Sequence, residues 1–234
     1  MSFFDGLYSY QIVLLLLGVV LFLVVAGAFL TLVIKGKPFG KLLPFFLIPV
    51  LMIGFPGIAS LSFQSKIGTL TLATSQLQEN PSDTALRQTL QTEVNQTASM
   101  PVNDPKALTA IASAQFALGD HQAAEAKLQA VLQKSPQLPE AMALKKRIDL
   151  DKSLTTLTAQ VEQNPHNESA KASLQQAVKE SSTLKIASPV FITKLAQAQA
   201  AVGNSKQALV LADKALQIQP KLAAAEAVKQ RIAQ

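Results

Sequence analysis

The chain predicts an all-α protein, with an N-terminal two-helix transmembrane hairpin followed by an α-solenoid of helical hairpins in two tandem copies. Three observations carry this reading. Two long runs near the N-terminus hold no ionisable residue. The remainder is rich in Ala, Gln, Leu, Lys and Thr and poor in strand formers, with Phe116 and Phe191 its only aromatics. Residues from about 70 to 150 also recur, without a gap, as 154 to 234.

The first uncharged run covers residues 12–34 and the second 42–63. Each reaches the roughly 20 residues needed to cross a ~30 Å hydrocarbon core as a helix. In lipid every backbone amide must be bonded within its own segment, so both runs are expected to be helical. The connection at 35–41 is too short for a domain, which makes the spans antiparallel neighbours. The preceding tail, residues 1–11, carries Asp5 and no Lys or Arg. It lacks the basic start and short apolar core of a secretory signal, so a retained span is expected. Tyr8 and Tyr10 suit an interfacial belt. Lys35, Lys37 and Lys41 place the loop in the cytoplasm by the positive-inside rule. A two-pass protein of the inner (cytoplasmic) membrane follows, with its N-terminus and C-terminal domain in the periplasm.

The second run contains Pro44, Pro49 and Pro56, so a bent or broken helix is expected there. Gly18 and Gly27 in the first run are not at the four-residue spacing of a GxxxG seam. With no ionisable residue in either run, a proton or ion pathway is not expected. Ile67, Leu70, Ala73 and Leu77 then recur at helical spacing, with Gly68 a weak point where the helix can separate from the span.

The duplication occupies 64–150 as the first copy and 151–234 as the second. One constant offset relates them: Pro81 recurs as Pro165, Gly119 as Gly203, Pro136 as Pro220 and Arg147 as Arg231. Such a repeat of helical units is the mark of a solenoid. Pro105 and Pro189 suit a first helical turn, preceded by Asp104 and Ser188 as N-caps. Leu108, Ile111, Ala112 and Gln115, like Ile192, Leu195, Ala196 and Gln199, fall on one face. Gly119 and Gly203 supply a left-handed turn, after which Asp120 and Asn204 can cap the next helix. There Ala124, Leu128, Val131 and Leu132 in one copy, and Ala208, Leu211, Ala215 and Leu216 in the other, are expected to face inward. Pro136 and Pro220 bar continuation. Residues 81–97 and 165–181 read as further helices, and 139–162 as a helix bridging the copies.

At these residues the chain resembles the tetratricopeptide repeat (TPR) family. ALGDHQAAEAKLQAVLQKSP (117–136) and AVGNSKQALVLADKALQIQP (201–220) look like the second half of that motif. Gly119, Ala124 and Pro136, and Gly203, Ala208 and Pro220, fall at the family's spacing. Leu108, Ile192, Gln115 and Gln199 stand where the first helix usually has large aromatics. The resemblance implies binding of a protein or peptide client along a groove lined by the first helix of each hairpin. By register Lys106, Thr109, Ser113, Phe116 and Ala117 line it in one copy. Val190, Thr193, Gln197, Ala200 and Ala201 do so in the other. The Lys and Asn with which some relatives clamp a terminal carboxylate are absent at Thr109 and Ser113, so that mode is not expected.

Other function classes find little support. The net charge of +6 includes the three loop lysines, and beyond residue 63 both signs are interspersed. A clustered basic face with stacking aromatics is missing, so no nucleic acid is expected. The absence of cysteine excludes disulfides, thiolate zinc sites and a Cys nucleophile. His121 and His166 both follow turns and read as ordinary exposed residues. No phosphate loop, nucleophile elbow or metal spacing occurs. No catalytic activity, metal, cofactor or small-molecule substrate is therefore expected.

Three roles remain. One is a periplasmic adaptor, chaperone or assembly factor. In its order of elements the chain is similar to proteins of c-type cytochrome maturation that join a membrane hairpin to a periplasmic TPR domain, though their cytoplasmic loop is much longer. The others are a structural accessory subunit of a larger inner-membrane complex, and a cytosol-facing TPR scaffold.

Overall fold

The structure, a computed structural model, describes residues 7–36, 44–98 and 100–233. These form ten α-helices and no strand. They are α1 (Ser9–Ile34), α2 (Leu47–Glu79), α3 (Thr84–Ala98), α4 (Pro105–Leu118) and α5 (His121–Lys134), followed by α6 (Pro139–Gln163), α7 (Glu168–Ser182), α8 (Pro189–Ala201), α9 (Ser205–Ile218) and α10 (Ala223–Ala233). Two compact units divide the chain, Met1–Gly68 with Gln96–Asp104, and Thr69–Asn95 with Pro105–Gln234.

The first unit contains α1 and the larger part of α2, both long and apolar enough to cross a membrane, with mean hydropathies of 3.2 and 2.0. Most of the loop at 35–41, with Lys37 and Lys41, and the start of the second run lie outside the described residues. Gly18 lies against Met52 and Ile53, while Phe22 and Phe29 both meet Phe46 edge to face. Moving up α1 thus moves down α2, and the pair is antiparallel. A Cβ on Gly18 would stand 2.8 Å from the Met52 Cβ, so hydrogen alone fits. Without GxxxG spacing the sequence does not mark Gly18 as a seam, yet it is the point of close approach. One small residue suffices because the bulky side chains beside it fan outward: Leu16, Leu17, Val20 and Leu23 are exposed.

The expected break in the second run does not occur. Helix α2 continues through Pro56 and Gly68 to Glu79. Pro49 stands in the first turn, where its missing amide would have no partner anyway. Outward-facing Leu51, Phe55, Ile58 and Leu61 leave α2 apolar on its open side.

In the second unit the duplication reappears as helix boundaries. The end of α2 at 79 maps to the end of α6 at 163, α3 to α7 (84 to 168 and 98 to 182), and α5 to α9 (121 to 205 and 134 to 218). The starts of α4 and α6, at 105 and 139, map by the same offset to those of α8 and α10, at 189 and 223. Helix α6 covers the expected bridge at 139–162, and α3 and α7 begin at 84 and 168, three residues into the segments expected at 81–97 and 165–181.

Both glycine turns close identically. Gly119 and Gly203 have φ of +101° and +88°. The amides of Asp120 and Asn204 donate to the carbonyls of Gln115 and Gln199, and those of Gly119 and Gly203 to Phe116 and Ala200. This double closure satisfies carbonyls left bare at a helix end. The caps that follow differ. Asp120 accepts from the Ala123 amide, but Asn204 does not cap α9 as expected. Its Nδ2 donates instead to Oε1 of the buried Gln199.

Small side chains set the packing of the paired helices. Ala112, Ala124, Ala196, Ala208 and Ala212 are fully buried, so the axes approach closely. With Ala112 and Ala124, Leu128, Leu144, Leu154, Leu174, Phe191 and Leu195 form one core drawn from both copies, and Ala196, Ala208 and Ala212 cluster separately with Val228. The guanidinium of Arg87 on α3 adds a link, donating to the Ala187 carbonyl at 2.9 Å.

Candidate functional site

A buried polar cluster lies where the two copies meet. The turn at Gly119 delivers His121 to the first residue of α5, facing back toward Phe116 of α4. The two rings stack with centroids 4.4 Å apart, and Phe191 of α8 meets Phe116 edge to face. This aromatic floor leaves both imidazole nitrogens directed at polar partners. Nδ1 is 3.0 Å from Oδ2 of Asp151 on α6, and Nε2 is 2.8 Å from Oγ of Ser188. The same Oδ2 accepts from Nζ of Lys194 at 2.7 Å.

Asp151 is 4% exposed. Burial pushes its carboxyl upward, but the hydrogen bonds and positive charges of His121 and Lys194 outweigh this and hold it below the usual carboxylate range. Its other oxygen, Oδ1, is buried without a partner.

The connectivity of Ser188, His121 and Asp151 is that of a nucleophile, a base and an orienting carboxylate. Its surroundings are not. Ser188 is 0% exposed, and its Oγ also accepts the Phe191 amide as N-cap of α8. Attack on an external carbonyl needs an accessible oxygen with room for a reacting atom beside it. The arrangement suits fastening instead: the imidazole bridges Asp151 through Nδ1 and Ser188 through Nε2, joining α5, α6 and α8. Among the described residues, no group of three or more His, Asp or Glu side chains is placed to hold a metal ion.

The sequence does not announce this cluster. It reads His121 as an exposed turn residue, but the side chain is only 15% exposed because Phe116 and α8 cover it. His166 is exposed. The only sequence signal is a departure from the repeat. Where one copy has Phe116, His121, Ser188 or Lys194, the matching position of the other holds Ala200, Ser205, Asp104 or Ala110.

The residues expected to line a groove separate into two groups. Phe116 is 3% exposed and belongs to the core, because Phe191 and His121 supply it with partners from the far copy and the next helix. Thr109 and Thr193 are also buried, each hydroxyl donating to the carbonyl four residues back, Pro105 and Pro189. Ala117 is buried with them. Lys106 is exposed, and Ser113, Val190, Gln197, Ala200 and Ala201 are half-buried. The expected accessible strip is therefore corrected to a few surface positions flanking internal ones. The structural set fares differently: Ala124 and Ala208 are fully buried, and Pro136 and Pro220 are exposed just beyond α5 and α9.

Compared with protein-family models, with curated proteins and with solved structures, the chain matches none.

Proposed function

We propose that this chain is a membrane-anchored, periplasmic adaptor or assembly factor whose duplicated helical domain binds protein partners in the manner of a TPR solenoid. The observation that carries this reading is the spacing of helix starts inside each copy. Helices α4 and α6 begin at 105 and 139, and α8 and α10 at 189 and 223. The interval is the 34-residue period of a TPR unit in both copies. Repeats of that kind present side chains along an extended surface rather than enclosing a reaction. The two apolar helices that precede them tether that surface, and the three loop lysines favour the periplasmic side.

The experiment has two arms. A C-terminal reporter active only in the cytoplasm should be silent, and activity there would favour the cytosol-facing scaffold. Photocrosslinking from Gln197 in intact cells should capture discrete protein partners, and a clean absence of adducts would refute the adaptor role. A role in c-type cytochrome maturation is the narrower form of the reading, checked by holocytochrome levels in a deletion strain.

A second reading, an accessory subunit of a larger membrane complex, is favoured by the apolar open side of α2 at Leu51, Phe55, Ile58 and Leu61. Replacing the hairpin by an unrelated anchor would then abolish every partner, whereas the adaptor should keep its client.

A further inference from the structure

A cleft between α7, α8 and α9 is lined by none of the groove positions on α4 and α8. Its walls are Leu184, Ile186, Ile192, Leu195 and Leu211, over Phe191. Its volume is about 140 Å³. Pockets for cofactors and drug-sized ligands run to roughly 300–1,000 Å³, so this one has room for a side chain rather than a small molecule. At Leu184, Ile186 and Lys214 it continues into a wider, shallower recess of about 480 Å³ along Gln78, Glu79 and Pro81. A small pocket beside a more open trough fits an anchoring side chain and the chain that flanks it.

Two polar features mark the cleft as more than a packing defect. Ser181 on its wall is 1% exposed, and its hydroxyl has no hydrogen-bond partner. An unpaired buried hydroxyl carries a cost that an incoming carbonyl or amide would relieve. On the rim Lys214 forms no ion pair among the described residues, whereas neighbouring Lys185 has Glu79 at 4.0 Å and Asp213 has Lys229 at 2.7 Å. The uncompensated charge at the mouth is therefore positive. Nor is the cleft a by-product of the repeat, since Lys127 and Ala130 stand in the first copy where Leu211 and Lys214 stand in the second.

We propose that this cleft docks an acidic protein segment through one aliphatic side chain, with Lys214 facing a carboxylate beside the anchor and Ser181 meeting the anchor's backbone. The inference rests on the protein-binding role above and names a surface and a partner chemistry for it.

The test uses the full chain in detergent micelles and a fluorescent nonapeptide with one central leucine among glutamates. Saturable binding is expected, weakened about tenfold by Lys214→Glu, by Gln207→Glu on the exposed rim, and by glycine in place of the leucine. It should also weaken with added salt. Binding indifferent to both rim variants, or no binding, overturns the proposal. So does a dimer that becomes a monomer with Lys214→Glu, which would make a second copy the occupant. Photocrosslinking separates this from failure of the adaptor role. Adducts from Gln197 but none from Gln207 remove the cleft and keep the adaptor, and adducts from neither remove both.

Discussion

The imidazole Nε2 of His121 lies 2.8 Å from the hydroxyl of Ser188, across 67 residues of chain. Each residue also serves its own copy, His121 as the first residue of α5 and Ser188 as the cap of α8. Removing either should therefore cost more than its local role. His121→Ala is expected to destabilise the second unit by about 2 kcal/mol, from lost hydrogen bonds to buried partners and the lost stack on Phe116. In urea unfolding, the double variant with Ser188→Ala should show a coupling of at least about 0.5 kcal/mol. Strict additivity would mean that the contact fastens nothing.

Asp151 makes that junction sensitive to acid. Its folded-state carboxyl is held below the unfolded value, so it contributes stability that is present above the unfolded value, near 4, and is lost as pH falls through the folded value. Stability measured from pH 7 downward should hold and then fall below about pH 4. Asp151→Asn should be weaker at pH 7 by on the order of 2 kcal/mol. This is less than the ~3–5 kcal/mol typical of breaking a buried pair, because Lys194 keeps 26% of its side chain in solvent. The variant should also show a shallower acid slope. An unchanged slope would remove Asp151 from the acid response.

Gln115 and Gln199 are equivalent, buried and differently satisfied. The Asn204 side chain donates to Gln199, but at the matching place the side chain of Asp120 has no N–H to offer, and Oε1 of Gln115 is left without a partner. Gln115→Leu should consequently be neutral or stabilising. Gln199→Leu should cost about 1 kcal/mol through the lost hydrogen bond from Asn204. Equal effects in thermal unfolding would contradict the asymmetry.

The two turn glycines should differ as well. An alanine at either position meets an unfavourable left-handed backbone, worth roughly 1–2 kcal/mol. At Gly203 nothing stands within 4 Å of the added Cβ, but at Gly119 the Val190 Cγ2 is 3.2 Å away. Gly119→Ala should thus lower Tm further than Gly203→Ala, and it should do so less in a Val190→Ala background.

Local signals account for what could be read in advance. Gly119 and Gly203 end their helices because no other residue takes that φ cheaply, and this holds whatever surrounds them. The alanines of α4, α5, α8 and α9 mark a buried face by their spacing alone. Gly18, Phe116 and Arg87 gave no comparable signal, since the role of each depends on a partner far along the chain: Met52, Phe191 and the carbonyl of Ala187. The break expected at Pro56 does not occur, for a related reason. Proline weakens a helix locally, but lipid-length apolar flanks on both sides hold the segment helical.

By itself the sequence determined two uncharged runs of membrane length, an all-helical remainder, and two copies related by one constant offset, each with its own turns and small-residue faces. These are properties of periodicity, backbone preference and charge, which act over a few residues. Only the tertiary structure decided how the copies join. It turned Phe116 inward, gathered His121, Asp151, Ser188 and Lys194 into one hydrogen-bonded junction, and opened the cleft beneath Lys214. The physical reason is that a repeat specifies equal local structure in both copies, whereas their junction is built from the positions where the copies differ.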